Sequence, residues 1–182
     1  MTVLRCSAKL LKRLRQPATP PEPSPADNPL GEWVADIDFI DRQPFVLMMN
    51  AATGLVLVLP GHAAFLKRLH EGAAEQLRAL LAACGIGGPL AEAEVDAWRQ
   101  PARYARTDNR SLVASMNRRK LDACAHFGYH GRSAFEVALR LLETPFMRKD
   151  LGKDYHHALA LARARLLPSA KILPLGTAST RH

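Results

Sequence analysis

Between Trp33 and Leu59 the chain has little choice of conformation. Trp33, Ala35, Ile37 and Phe39 alternate with Val34, Asp36, Asp38 and Ile40, the period of two expected of a strand with one drier and one wetter face. Both aspartates fall on the wetter face. Asp41 to Pro44 reads as a turn, and Phe45 to Met49 and Leu55 to Leu59 are apolar runs of strand length. They are joined by Asn50-Ala51-Ala52-Thr53-Gly54, whose asparagine and glycine suit a hairpin loop. Strands this close in sequence pair with one another, so the stretch predicts a three-stranded antiparallel meander. Such a sheet is marginal alone and needs a further strand or a layer of helices over its apolar face.

The flanking sequence supplies both. Val3 to Cys6 predicts a short N-terminal strand, followed by a helix capped by Ser7 and carrying Leu10, Leu11 and Leu14. Six prolines between Pro17 and Pro29 remove backbone donors and disfavour helical angles before each ring, so residues 16–30 read as an extended, mobile connector. Downstream, residues 62–84 place Phe65, Leu66, Leu69, Ala73, Leu77, Leu80 and Leu81 at helical spacing, with Gly72 as a weak point. Pro89 can open a second helix to about Gln100. Arg103 to Arg106 suits a short strand, and Asp108 can cap a helix from Asn109 to about Phe127, ended by Gly128. Ser133 caps another reaching Thr144, and residues 153–167 form the last. The expectation is one α+β domain over residues 1–167: a small, mainly antiparallel sheet, the meander plus the N-terminal strand, packed with four or five helices. Residues 168–182 read as a flexible tail.

A chain of 182 residues with 48% apolar and 23% charged residues is globular in profile and of single-domain size. No apolar run approaches the roughly 20 residues that span a bilayer. The basic start lacks the uninterrupted apolar stretch of a secretory signal, so a cytoplasmic location is expected. Cys6, Cys84 and Cys124 are odd in number and far apart, which indicates reduced thiols rather than a disulfide framework or zinc ribbon. The net charge of +8 biases the chain towards polyanions, and the bias sits at its two ends. Residues 1–20 hold five basic and no acidic groups, residues 21–60 one basic and six acidic, and residues 101–182 fifteen basic and six acidic.

The densest polar cluster is TDNRSLVASMN, Thr107 to Asn117, at a predicted helix start. At about 100° per residue, Arg110 and Asn117 fall about 20° apart, beside an apolar stripe of Leu112, Val113, Met116, Cys124 and Phe127. Two readings stand. The free N–H groups of the helix start, with Thr107, Asn109, Arg110, Ser111 and Asn117, can hold a phosphate or carboxylate. Alternatively, Thr107 and Asp108 cap the helix while Arg110 ties it to an acid or carbonyl in the sheet. RCSAKLLKRL from Arg5, GEWVADIDFI from Gly31, FVLMMNAATGLVLVL from Phe45, TDNRSLVASMN from Thr107 and LRLLETP from Leu139 follow one another in an order that resembles an uncharacterised bacterial family, domain of unknown function 6933. The resemblance spans roughly residues 1–146 outside the proline connector and implies an architecture rather than a chemistry.

Cys124, His126 and His130 are the nearest approach to a metal cluster, the two histidines at the i, i+4 spacing of zinc ligands; a Gly128 helix end argues against it, and no metal or cofactor is assigned. Asp36 and Asp38 can serve as paired carboxylates or hold magnesium, or be solvated strand residues. Arg118, Arg119, Lys120, Arg148, Lys149 and Lys153 are candidate contacts to a phosphate backbone. The leading functional reading is a non-enzymatic binding module whose basic C-terminal half contacts nucleic acid or another anionic partner. The alternatives are an enzyme acting on a phosphorylated or nucleotide substrate around Asn109, Arg110 and Asn117, and a protein–protein interaction module of a small bacterial or mobile-element operon.

Overall fold

The first strand of the chain lies inside the sheet. In the computed structural model, which describes residues 1–148 and 152–167, β1 (Val3–Cys6) runs parallel to β2 (Trp33–Ile40) on one side and to β5 (Arg103–Arg106) on the other. Cys6 is in register with both Ala35 and Arg106. Beyond β2, β3 (Gln43–Asn50) and β4 (Val56–Pro60) follow antiparallel, giving the order β4-β3-β2-β1-β5. The expected small, mainly antiparallel sheet with four or five helices is thereby overturned. The sheet has five strands and is mixed, with two of its four pairings parallel, and the described residues form seven helices. The cause is β1, which joins the meander parallel to β2 and takes β5, also parallel, on its other side.

One helix comes from a break that hydropathy does not show. Residues 62–84 split into α2 (Ala63–Leu66) and α3 (Leu69–Ala83), separated at Lys67 and Arg68. Gly72 does not break α3. It makes room for Phe65, since a Cβ there would lie 2.2 Å from that ring. The other helices are α1 (Ala8–Arg13), α4 (Pro89–Ala97), α5 (Arg110–His130), α6 (Ala134–Glu143) and α7 (Ala158–Leu166). Ser133 and Glu136 form a reciprocal capping box at the start of α6. α5 runs past Gly128 and ends at Gly131, whose φ of 58° is the left-handed cap that a glycine takes at little cost.

Helices cover both faces. Trp33 meets Trp98, just past α4, edge-on at 5.7 Å, and Arg13 of α1 lies over the Phe39 ring. On the opposite face α5 crosses β2 and β3, placing Phe127 5.4 Å from Phe45 and Ser115 beside Met49, while α6 packs beside α5 and against β4. The exposed edge of β4 is occupied by a side chain of α3. Gln76 accepts from the Val58 N–H at 2.7 Å and donates to the Val58 carbonyl at 2.6 Å, as a neighbouring strand would.

The proline-rich connector carries no helix or strand, yet it is not loose throughout. Arg5 pairs with Glu22 and Glu32, and the wholly buried Glu94 of α4 gathers the connector's end. Glu94 accepts from the Leu30 N–H at 2.7 Å, from the Asn28 amide at 2.9 Å and from the Trp33 indole at 3.2 Å. Burial pushes its carboxyl above the ordinary value, against these donors.

Candidate functional site

α5 has an inward and an outward side, and the two divide the basic residues between them. The helix starts at Asn109, whose side-chain oxygen accepts from the Ser111 and Leu112 N–H groups at 3.0 and 3.1 Å. The cap is therefore Asn109 rather than Asp108 or Thr107, and it occupies N–H groups that an anion at the helix start would need. Thr107 sits at the end of β5, its N–H donating to the Cys6 carbonyl, and its hydroxyl is buried without a hydrogen-bond partner.

Leu112, Met116 and Ala123 seat the inward side on the core. Between them Lys120, only 8% exposed, brings its ammonium to 2.5 Å from Asp36 and 3.3 Å from Asp38. Asp36, 6% exposed, also accepts from the Ser7 hydroxyl and the Ile37 N–H. Burial works to lower the Lys120 pKa, but the hydrogen bond and charge of Asp36, joined by Asp38, outweigh it and leave the ammonium above its ordinary value. Two expectations are corrected here. The face of β2 that carries Asp36 and Asp38 is not a wet one, because α5 lies on it, and the pair holds an ammonium where a magnesium ion was considered. Lys120 is likewise directed at the sheet rather than at a phosphate backbone. The tie from this helix to an acid of the sheet, assigned to Arg110, is made by Lys120.

Arg119 is buried too. Its guanidinium donates to the Leu141 and Thr144 carbonyls at 2.9 Å each, pinning α5 to the end of α6, and lies over the Phe146 ring at 5.4 Å. Burial pulls its pKa below the ordinary value, though a guanidinium keeps its charge. Its place among the outward phosphate contacts is likewise corrected, since both ends of its fork are used within the protein.

Arg110, Asn117 and Arg118 point outward. Arg110 and Arg118 border a groove of about 730 Å³ between α5 and the segment following α6. Ser111, Ser115 and Asp122 share the helix wall, with Asp122 3.5 Å from Arg118. Phe146, Met147, Arg148 and Tyr155 form the facing wall. That wall is fixed in three ways. Phe146 and His156 exchange backbone hydrogen bonds at 2.9 and 2.8 Å, Arg148 donates to the Ala51 carbonyl, and the Phe146 ring lies where a Cβ on Gly54 would have to go, 2.5 Å away. The β3–β4 turn thus supports the groove from below.

Of the sequence candidates, the groove gathers Arg110, Ser111, Arg118, Arg119 and Arg148. Asn117 is exposed but does not line it, nor does Lys153, and Lys149 lies outside the described residues. Cys124 packs against the core, its thiol pushed up by burial, while about 200° of helix turn separates it from His126. Arg132 donates to His126 Nδ1 at 2.5 Å, and burial, then Arg132, lowers the imidazole pKa. Among the described residues no three potential ligands come together for a metal. Sequence reading missed Phe146, Met147 and Tyr155; two aromatics spaced among Arg148, Lys149 and Lys153 were the available signal.

Residues 3–160 match the family described as Domain of unknown function (DUF6933). The chain belongs to this family. No curated protein and no solved structure matches it. The DUF6933 match runs from β1 into α7 and so covers the whole sheet and both walls of the groove. None of the described helices is long and apolar enough to cross a membrane.

Proposed function

We propose that this protein is a non-enzymatic binding module that holds nucleic acid or another phosphate-bearing polyanion along the α5 groove. The observation that carries this reading is the composition of the groove: among the described residues, Arg110, Arg118, Arg119 and Arg148 line it against one acid, Asp122, with apolar side chains between them. Arg119 and Arg148 are bound to carbonyls and add a fixed positive potential, while Arg110 and Arg118 are exposed, Arg118 beside Asp122, and can fork onto phosphate oxygens. Among the described residues, the lining of the groove includes no imidazole, thiol or lysine, and the one carboxylate there faces Arg118, which favours binding over acid–base chemistry.

Fluorescence anisotropy with labelled oligonucleotides across a salt series tests the reading. Affinity is expected to fall steeply with salt, and an Arg110→Ala/Arg118→Ala variant should bind more weakly with a slope shallower by about one to two counterions. No binding at low ionic strength, or binding that the double variant leaves untouched, would overturn it.

A further inference from the structure

The facing wall of the groove carries a feature that phosphate recognition does not require. Phe146 and His156 pair as an antiparallel bridge, so Met147 and Tyr155, the next residues inward, stand opposite one another. Met147 is 52% and Tyr155 68% exposed, and both line the groove. Behind them Phe146 is buried under the Arg119 guanidinium. An exposed ring and a thioether thus follow directly on a single hydrogen-bonded bridge, across the groove from Arg110 and Arg118. These arginines lie eight residues apart, about 12 Å along the helix axis.

A duplex offers such a wall little, because its bases are stacked inside and its rim is sugar and phosphate. A single strand offers both chemistries at once: phosphates for the arginines and unstacked base faces for the ring. We infer that the groove takes single-stranded nucleic acid in preference to duplex, with Tyr155 and Met147 as the platform for a base and Arg110 and Arg118 on the backbone. This deepens the polyanion reading and rests on it.

The test compares a labelled single strand of about 12 nucleotides, the same sequence as a duplex, and the same strand with abasic sites, each by anisotropy at low salt. The single strand is expected to bind roughly tenfold or more tighter than the duplex, and Tyr155→Ala should lose roughly tenfold on the single strand with little change on the duplex. Tyr155→Phe should keep the preference, and abasic sites in the strand should abolish it. Tyr155 is exposed, so unchanged thermal melting of both variants confirms that the comparison concerns binding. Equal affinity for both forms, with Tyr155→Ala neutral and Arg110→Ala/Arg118→Ala still weakening both, would overturn the single-strand inference and leave the polyanion reading standing. No binding to either form would overturn both.

Discussion

Replacing Lys120 by methionine separates a structural lysine from a phosphate-binding one. The substitution keeps the length of the side chain and removes the charge, leaving the Asp36 carboxylate with the Ser7 hydroxyl and the Ile37 N–H but without its ammonium. Breaking a buried ion pair by removing one partner costs about 3–5 kcal/mol when both ions are sealed from water. Asp38 is about one-third exposed, so part of the uncompensated charge is solvated and the lower end of that range applies, about 3 kcal/mol. For a chain of this size that lowers the melting temperature by about 6–12 °C. Asp36→Asn alone should cost less, because Lys120 keeps Asp38. The double variant should be less destabilised than the sum by about 1 kcal/mol or more, which a calorimetric double-mutant cycle measures. Because the folded-state pKa of Lys120 is raised, its contribution is complete below the ordinary lysine value and lost as pH rises through the raised one. The gap between wild type and Lys120→Met should therefore hold across neutral pH and close only in strong alkali. A variant melting within about 2 °C of wild type while losing oligonucleotide binding would refute the reasoning and return Lys120 to the surface.

Glu94→Gln puts an amide N–H where the Leu30 N–H or the Trp33 indole now donates, and should cost about 1–3 kcal/mol in urea denaturation. Because burial raises the Glu94 carboxyl, the folded protein keeps a proton that the unfolded chain has released. Stability from this group therefore falls as pH rises from the ordinary to the raised value, and Glu94→Gln should remove that slope. In limited proteolysis of the wild type, first cuts are expected nearer residue 16 than Asn28, and Glu94→Gln should extend them through Leu30. Gly54→Ala combines a φ of 72° with a clash on Phe146, and melting should show a loss of at least about 1 kcal/mol, with oligonucleotide affinity reduced as the wall shifts. Asn109→Ala removes the α5 cap and should lower stability by about 1 kcal/mol in the same assay while leaving affinity within about twofold.

What could be read in advance was local. Period-two alternation in β2, the Ser7 cap and the Ser133 cap each depend on a few consecutive residues. The parallel pairing of β1 was not legible, because a four-residue strand has no pattern that names partners roughly 30 and 100 residues away. Lys120 was legible in principle. At about 100° per residue it falls about 40° from Met116, within the apolar stripe of α5, but its position in Arg118-Arg119-Lys120 made it resemble part of a solvated run. The groove could not be seen, since its helix wall is made by α5 and its facing wall by residues after α6, which are braced in turn by Gly54 and Ala51 of the β3–β4 turn.

The position of β1 has a consequence for how the chain is made. Residues 3–6 leave the ribosome before the other strands of the sheet, yet their strand gains its second neighbour only when residues 103–106 have followed. At about 5–20 residues per second, a nascent chain spends on the order of 5–20 s with one side of β1 unpaired. The antiparallel strands, whose partners arrive within a few residues of one another, can close long before this. Assembly should therefore begin in the β2–β4 meander and close the β1–β5 pair last. A fusion that stiffens or delays residues 1–6 should lower soluble yield more than an equal one placed after α7, although both leave the folded contacts intact.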